Sequence, residues 1–216
     1  MYAPSQTSEP LKSNKSLVCM DVDGTLCRID SFTRFVFYAL PWWQIVWRGL
    51  PVLPWIVAYF LKLYPAHFMR PRLFHCMFRG TSFHRIDVKA QSYAKWMLTQ
   101  LNPEVYEALK NHIQQQHDVV LVSAGVDVYL KHFAKRLGVK LMCSQAEIKH
   151  GKLTGRYLTA DCSNEQKVIR IQASYDLRSF DMVYAYGNSD EDVPMLKMAD
   201  VAYWVDESNS LSLKSL

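Results

Sequence analysis

Three short apolar runs give way to polar residues in the same manner, and this repeated pattern predicts the core of the fold. Leu17-Val18-Cys19-Met20 runs into Asp21-Val22-Asp23-Gly24, Val119-Val120-Leu121-Val122 into Ser123-Ala124-Gly125, and Met182-Val183-Tyr184-Ala185-Tyr186 into Gly187-Asn188. Short apolar runs bounded by turn signals have the length of buried strands. Helix-like segments follow the second and third runs, Val126 to Leu137 and Asp192 to Met198. Strands alternating with helices predict an α/β fold with a parallel sheet, its polar residues gathered at the carboxyl edge.

A different periodicity fills the stretch between the first two strands. Arg85 to Leu101 places Ile86, Val88, Ala90, Tyr93, Ala94, Met97, Leu98 and Leu101 at helix-like spacing, and Asn102-Pro103 then opens a further helix through Val105, Leu109 and Ile113. Residues 31–117 therefore read as a helical insertion. Further on, Ile148-Lys149-His150-Gly151-Lys152-Leu153 predicts a β-hairpin with His150 solvated at its turn. Residues 1–16 are polar with Pro4 and Pro10, and read as a disordered arm without a signal peptide. The Ser-rich stretch 208–216 reads as a flexible tail.

The candidate chemistry lies at the strand ends. Residues two apart in a strand share a face, so Asp21 and Asp23 converge if extended geometry persists through Val22, and Gly24 permits the turn out of the sheet. Ligands of open α/β sheets bind beyond the carboxyl ends of the strands, and helix starts there favour phosphate.

Four segments in order, DVDGT at 21–25, Ser123 in LVSAG, Lys167 in NEQKV and the acidic run YGNSDEDVPML, resemble the motifs of the haloacid dehalogenase superfamily. The stretch 121–196, with FAKRLGV and KLTGR between these motifs, is similar to the branch containing phosphoserine phosphatase and phosphatidylglycerophosphatase C. The resemblance implies a Rossmann-like three-layer parallel sheet over 17–30 and 118–207, with 31–117 as an inserted α-helical cap. It implies a phosphatase in which Asp21 is the nucleophile that forms a phosphoaspartate and Asp23 the general acid and base. Ser123 and Lys167 would bind the phosphoryl group. Mg2+ would be held by the Asp21 carboxylate, the Asp23 backbone carbonyl and the Asn188 side chain. Asp192 would stand behind them, holding Lys167 or a metal-bound water, and Thr25 would tie down the turn. A carboxylate and a phosphate charge about 4 Å apart repel by roughly 4 kcal/mol at an effective dielectric of 20, so the attack needs these cations. Asn188 departs from the family, which usually has Asp there. An amide oxygen brings no charge to the metal, so weaker binding is expected, and Asp190 is the alternative ligand. A phosphate-binding regulatory module with impaired turnover also stays open.

Composition narrows the setting. The 216 residues are enough for a sizeable core, and the five cysteines form no CxxC pair, which favours reduced thiols and a cytoplasmic location. Cys27, close behind the first motif, reads as structural in preference to oxidation-sensitive. His67, His75, His84, His112, His117 and His132 show no metal-ligand spacing. The unusual segment is Phe35 to Leu63, which holds four of the six tryptophans. Arg48 and Pro41, Pro51 and Pro54 interrupt it, so it predicts no membrane span, while a shallow helical hairpin turning at Gly49 to Pro54 stays open. Six basic residues against one acid, Asp87, follow between Lys62 and Lys89. Two readings result. The aromatics anchor the protein peripherally on an anionic membrane, with a phosphatidylglycerophosphate-like lipid as substrate, or they pack the cap of a phosphatase for a small phosphorylated metabolite. The net charge of +5 suits either partner, and no nucleic-acid-binding motif is present.

Overall fold

The structure, a computed structural model, describes residues 15–214. Strand β1 (Ser16–Met20) leads into six helices, α1 (Ser31–Ala39), α2 (Trp42–Gly49), α3 (Leu53–Phe60), α4 (Ala66–Phe78), α5 (Phe83–Met97) and α6 (Pro103–Gln114). There follow β2 (Asp118–Val126), α7 (Asp127–Leu137), β3 (Lys140–Ser144), the pair β4 (Ala146–Lys149) and β5 (Lys152–Tyr157), and α8 (Glu165–Ser174). The chain closes with β6 (Met182–Gly187), α9 (Val193–Met198), β7 (Val201–Val205) and β8 (Leu211–Leu213). The main sheet runs β3-β2-β1-β6-β7-β8, parallel except for β8, which is antiparallel to β7. The expected parallel α/β sheet is present, with helices on both faces.

Central strand β1 is buried along its whole length and feeds two cores by alternation. Val18 and Met20 face a large core with the aromatic rings of the inserted helices, while Leu17 and Cys19 face a smaller one with Ile171, Met195 and Leu196 of α8 and α9. At the centre of the larger core, Phe35 of α1 lies 5.7 Å from Phe78, 5.2 Å from Tyr93 and 4.7 Å from Tyr129, ring centre to ring centre. Burial of each such side chain stabilises the fold by about 1.5–3 kcal/mol, so this cluster fastens α1, α4 and α5 to α7.

The predicted helices are found, α5 starting at Phe83 and ending in a 3-10 turn, Leu98–Gln100. Asn102 accepts from the Glu104 backbone N–H and Pro103 takes the first turn of α6, as the dipeptide predicted. Yet α6 belongs with the sheet, not with the inserted helices. It packs on β2, and His112 meets the Tyr186 hydroxyl of β6 at 2.8 Å. The hairpin turn is His150-Gly151, both with positive φ, and His150 is exposed.

Two expectations about the ends change. Most of 1–16 lies outside the described residues, but Ser16 already belongs to β1, paired with Met182. The stretch expected as a flexible tail supplies β8, because Leu211–Leu213 can complete the sheet edge beside β7. The aromatic segment also resolves. α2 and α3, joined by a 3-10 turn at Leu50–Val52, contribute no buried residue, so Trp42, Trp43 and Trp47 do not pack the interior of the inserted helices.

Candidate active site

The parallel register brings the strand ends together. Met20 lies opposite Leu121 on one side and Tyr186 on the other, so Asp21, Ser123 and Gly187 emerge at one edge. The Asp21 backbone N–H donates to the Tyr186 carbonyl at 3.0 Å and extends the pairing one residue past the strand. Gly24 then turns the chain with φ of +77°, and a Cβ there would collide with the Asn188 side-chain amide. The close approach of these two loops therefore requires glycine.

The Asp21 carboxylate is buried between two donors. Lys167 Nζ donates to Oδ1 at 2.6 Å and Thr25 Oγ1 to Oδ2 at 3.0 Å. Lys167, in the first turn of α8 and buried, donates also to Asp192 Oδ1 at 2.6 Å. The other Asp192 oxygen accepts from the backbone N–H groups of Asn188 and Ser189, both at 3.0 Å, and from the Ser189 hydroxyl at 2.9 Å. The acidic turn after β6 thus braces itself and aims one oxygen at Lys167.

Electrostatics follow from this packing. Burial and the Asp192 charge push the Asp21 carboxyl up to about 6, against Lys167 and Thr25, which favour its ionised form. Burial opposes charge on Lys167, but Asp192 and Asp21 outweigh it and hold the ammonium above its ordinary value. Burial likewise opposes ionisation of Asp192, and Lys167 with the hydrogen bonds from Asn188 and Ser189 carries its carboxyl below the usual range. One cation is shared by two carboxylates.

Asp23 sits differently. Its Oδ1 accepts from the Ser31 backbone N–H at 3.1 Å, at the start of α1, and among the described residues no Lys or Arg pairs with it. Burial, with the Asp30 and Asp21 charges, pushes its carboxyl up to about 7. Ser123 is buried at the end of β2, where its Oγ accepts from the Gly125 N–H at 3.0 Å and keeps its own proton free to donate.

The donor set fits a hard cation. Asp21 Oδ2 and Asn188 Oδ1 lie 3.0 and 3.2 Å from Thr25 Oγ1, so the Thr25 hydroxyl brings the two oxygens to one place. Thr25 thus does more than tie down the turn. All the donors are oxygen, as magnesium prefers. Among the described residues no group of three or more His, Cys, Asp and Glu is arranged to hold a metal. An ion here would rest on one carboxylate and neutral oxygens. Asp190, the alternative ligand, is exposed, whereas Asp192 points inward. Cys27 is buried, and burial holds its thiol well above the ordinary value, against an oxidation-sensitive role.

Sequence reasoning missed Arg70. From α4 it donates to Asp161, with Nη2 at 2.7 Å from Oδ2, and to Glu191 at 2.9 Å, so it clamps the inserted helices onto the loops beside Lys167 and Asp192. Its partners lie 91 and 121 residues away, and no local pattern announces the contact.

A family model for haloacid dehalogenase-like hydrolases matches residues 18–197. The chain belongs to this family. No curated protein sequence matches it. Among solved structures, a protein of unknown function from Bordetella pertussis Tohama I is similar at a TM-score of 0.71 and 19% identity, over 88% of this chain and 89% of that one. A probable phosphoserine phosphatase from Vibrio cholerae is similar at 0.66 and 15% identity, and there this chain is covered to 88% but spans only 55% of the other. A phosphoserine phosphatase held as a phospho-aspartyl intermediate analogue is similar at 0.62 and 15% identity, over 88% and 85% of the two chains. At such identities the likeness is one of fold, and it matches the expected Rossmann-like sheet with inserted helices.

Proposed function

We propose that this haloacid dehalogenase-family hydrolase is a phosphomonoesterase that works through a phosphoaspartate at Asp21. The carrying observation is the division of labour between two carboxylates two residues apart: Asp21 is paired with a buried lysine, while Asp23 has a backbone N–H and no cation. An Asp21 oxygen attacks phosphorus as the ester P–O bond breaks, and Asp23 gives its proton to the leaving alkoxide. Asp23 then takes a proton from the water that attacks the phosphoaspartate, releasing phosphate and restoring Asp21. Lys167 and Ser123 donate to the phosphoryl oxygens, and Asp192 fixes the position of Lys167. Asp21, the Asp23 carbonyl and Asn188 would hold magnesium, which when bound polarises the phosphoryl group and offsets its charge.

For the substrate, the exposed aromatics of α2 and α3 support a phosphate ester on a phospholipid headgroup. A soluble phosphoserine-like ester is the second reading, supported by the fold likeness to phosphoserine phosphatases. A panel of lipid and soluble esters, assayed with and without detergent, separates them.

Two tests address the chemistry. Asp21→Asn should abolish magnesium-dependent hydrolysis of an aryl phosphate, by on the order of 10⁴-fold or more, and fluoroberyllate should inhibit the wild type. Substantial turnover by a folded Asp21→Asn variant would sink the phosphoaspartate. Wild-type protein that binds phosphate but hydrolyses nothing would instead favour the regulatory module. For the metal, Asn188→Asp should lower the magnesium concentration at half-maximal rate and Asn188→Ala should raise it. Unchanged titrations in both would move the ligand elsewhere.

A further inference from the structure

Between Asp30 and Asp87 the chain holds no acidic residue and seven basic ones, from Arg34 to Arg85. Of these seven, Arg70 alone is in an ion pair among the described residues. The segment therefore carries uncompensated positive charge, and it is also where the molecule's apolar side chains face outwards.

Helix α2 is built inside out. Trp42, Trp43, Val46 and Trp47 share one helical face, and that face is exposed, with Trp42 and Trp47 at 77% and 71%. The protein side carries two polar side chains beside Ile45, which packs against the main core. Gln44 and Arg48 are partly covered, and Arg48 donates to the Met77 and Arg79 carbonyls at 2.8 and 3.0 Å. A surface helix ordinarily turns its apolar stripe to the core. α3 goes further: Leu53–Phe60 contains no charged residue and buries none, and Phe60 is 77% exposed. Its position is nonetheless fixed, because Val52 is buried at the turn and the Arg72 guanidinium stacks 4.0 Å above the Trp55 ring. Trp42 and Trp47 alone expose about 300 Å². With the other apolar side chains around them, the face exceeds the few hundred Å² that a soluble monomer shows.

We propose that α2, the Leu50–Val52 turn and α3 form a preformed docking platform for the surface of an anionic phospholipid bilayer. Each helix has eight residues and is about 12 Å long, against about 30 Å of hydrocarbon, and no helix among the described residues is long and apolar enough to cross a membrane. The platform lies in the interface, its Trp side chains at headgroup level, and the exposed basic residues that follow it in the chain, Lys62, Arg79 and Arg85, add attraction to lipid phosphate. A second copy of the chain is the poorer occupant, because pairing two such faces brings together two acid-free, basic surfaces. The inference goes beyond the catalytic reading, for it holds whichever ester is cleaved.

The test is co-sedimentation of the full chain with vesicles of phosphatidylcholine alone or mixed with phosphatidylglycerol. Binding should be about tenfold tighter to the anionic vesicles and weaken with salt. The triple variant Trp42→Ser, Trp47→Ser, Phe60→Ser should lose it by about tenfold or more, with unchanged circular dichroism and thermal midpoint, since these side chains are exposed. Quenching of wild-type tryptophan fluorescence by brominated anionic lipid gives the same answer without a variant. Asp21→Asn should bind vesicles as the wild type does, so loss of hydrolysis and loss of docking are read separately. No wild-type binding to anionic vesicles, no quenching, or equal binding by the triple variant would overturn the platform. A lipid-free dimer that the triple variant dissolves would also overturn it and assign the face to a second copy.

Discussion

At the carboxyl edge of the sheet the polar groups are inside: Asp21, Lys167 and Asp192 are buried and linked at 2.6 Å. In α2 and α3 most apolar groups are outside, and the polar atoms of Arg48 are turned inward onto backbone carbonyls. Each region reverses the usual partition of residues, and each reversal is held in place by a conventional core next to it. Burying a charge is tolerated where a second charge and backbone N–H groups satisfy it, and this makes the edge rigid. Exposing an apolar face is tolerated where helices α1, α4 and α5 supply the stability on their own. A protein keeps such reversals where function uses them, and on the readings proposed above the two serve separate tasks, catalysis and docking.

The comparison breaks first at Lys167. Lys167→Met keeps the length of the side chain but leaves two buried carboxylates without their cation, which should cost about 3–5 kcal/mol in denaturant unfolding at neutral pH. The deficit should shrink as acid neutralises them. A loss below 1 kcal/mol would mean that the ion triad is not the brace of the edge.

The second prediction contrasts aromatic residues of the inserted helices. Phe74 is fully buried, with the rings of Phe78 and Tyr157 each 5.2 Å away, so Phe74→Ala should cost about 3–5 kcal/mol. Trp47→Ser should change stability by no more than about 0.5 kcal/mol. Equal losses, measured by thermal or denaturant unfolding, would contradict the outward placement of α2.

The smallest effect is a pH dependence. Burial, with the nearby His117, lowers His112 from 6.5 to about 4 in the folded state. Between those values the unfolded chain binds the extra proton. Stability from this group is therefore complete above about pH 6.5 and is lost as pH falls towards 4. His112→Gln should flatten that part of the stability curve. An unchanged slope would show that His112 takes up its proton at the same pH in both states.

The motif chemistry was legible because it is local. Asp21, Asp23 and Gly24 sit within four residues, and Ser123 and Asn188 each end or follow a recognisable strand, whereas Lys167, in the first turn of α8, came from the family resemblance alone. What escaped depends on tertiary sign. The spacing of Trp42, Trp43, Val46 and Trp47 defines a helix face, but periodicity cannot say whether that face meets the core or the solvent. Leu211–Leu213 is too short to signal a strand until β7 offers an edge. The allegiance of α6 and the clamp of Arg70 rest on partners far along the chain, Tyr186 in one case and Asp161 and Glu191 in the other.

The central claim is that Asp21 takes the phosphoryl group. The direct measurement is peptide mass spectrometry after rapid acid quench of wild-type protein turning over an aryl phosphate with magnesium. The account predicts one added phosphoryl group on the peptide containing Asp21, absent from Asp21→Asn and absent without substrate. Steady turnover with Asp21 unmodified at every quench time, or the phosphoryl group on another residue, would contradict it.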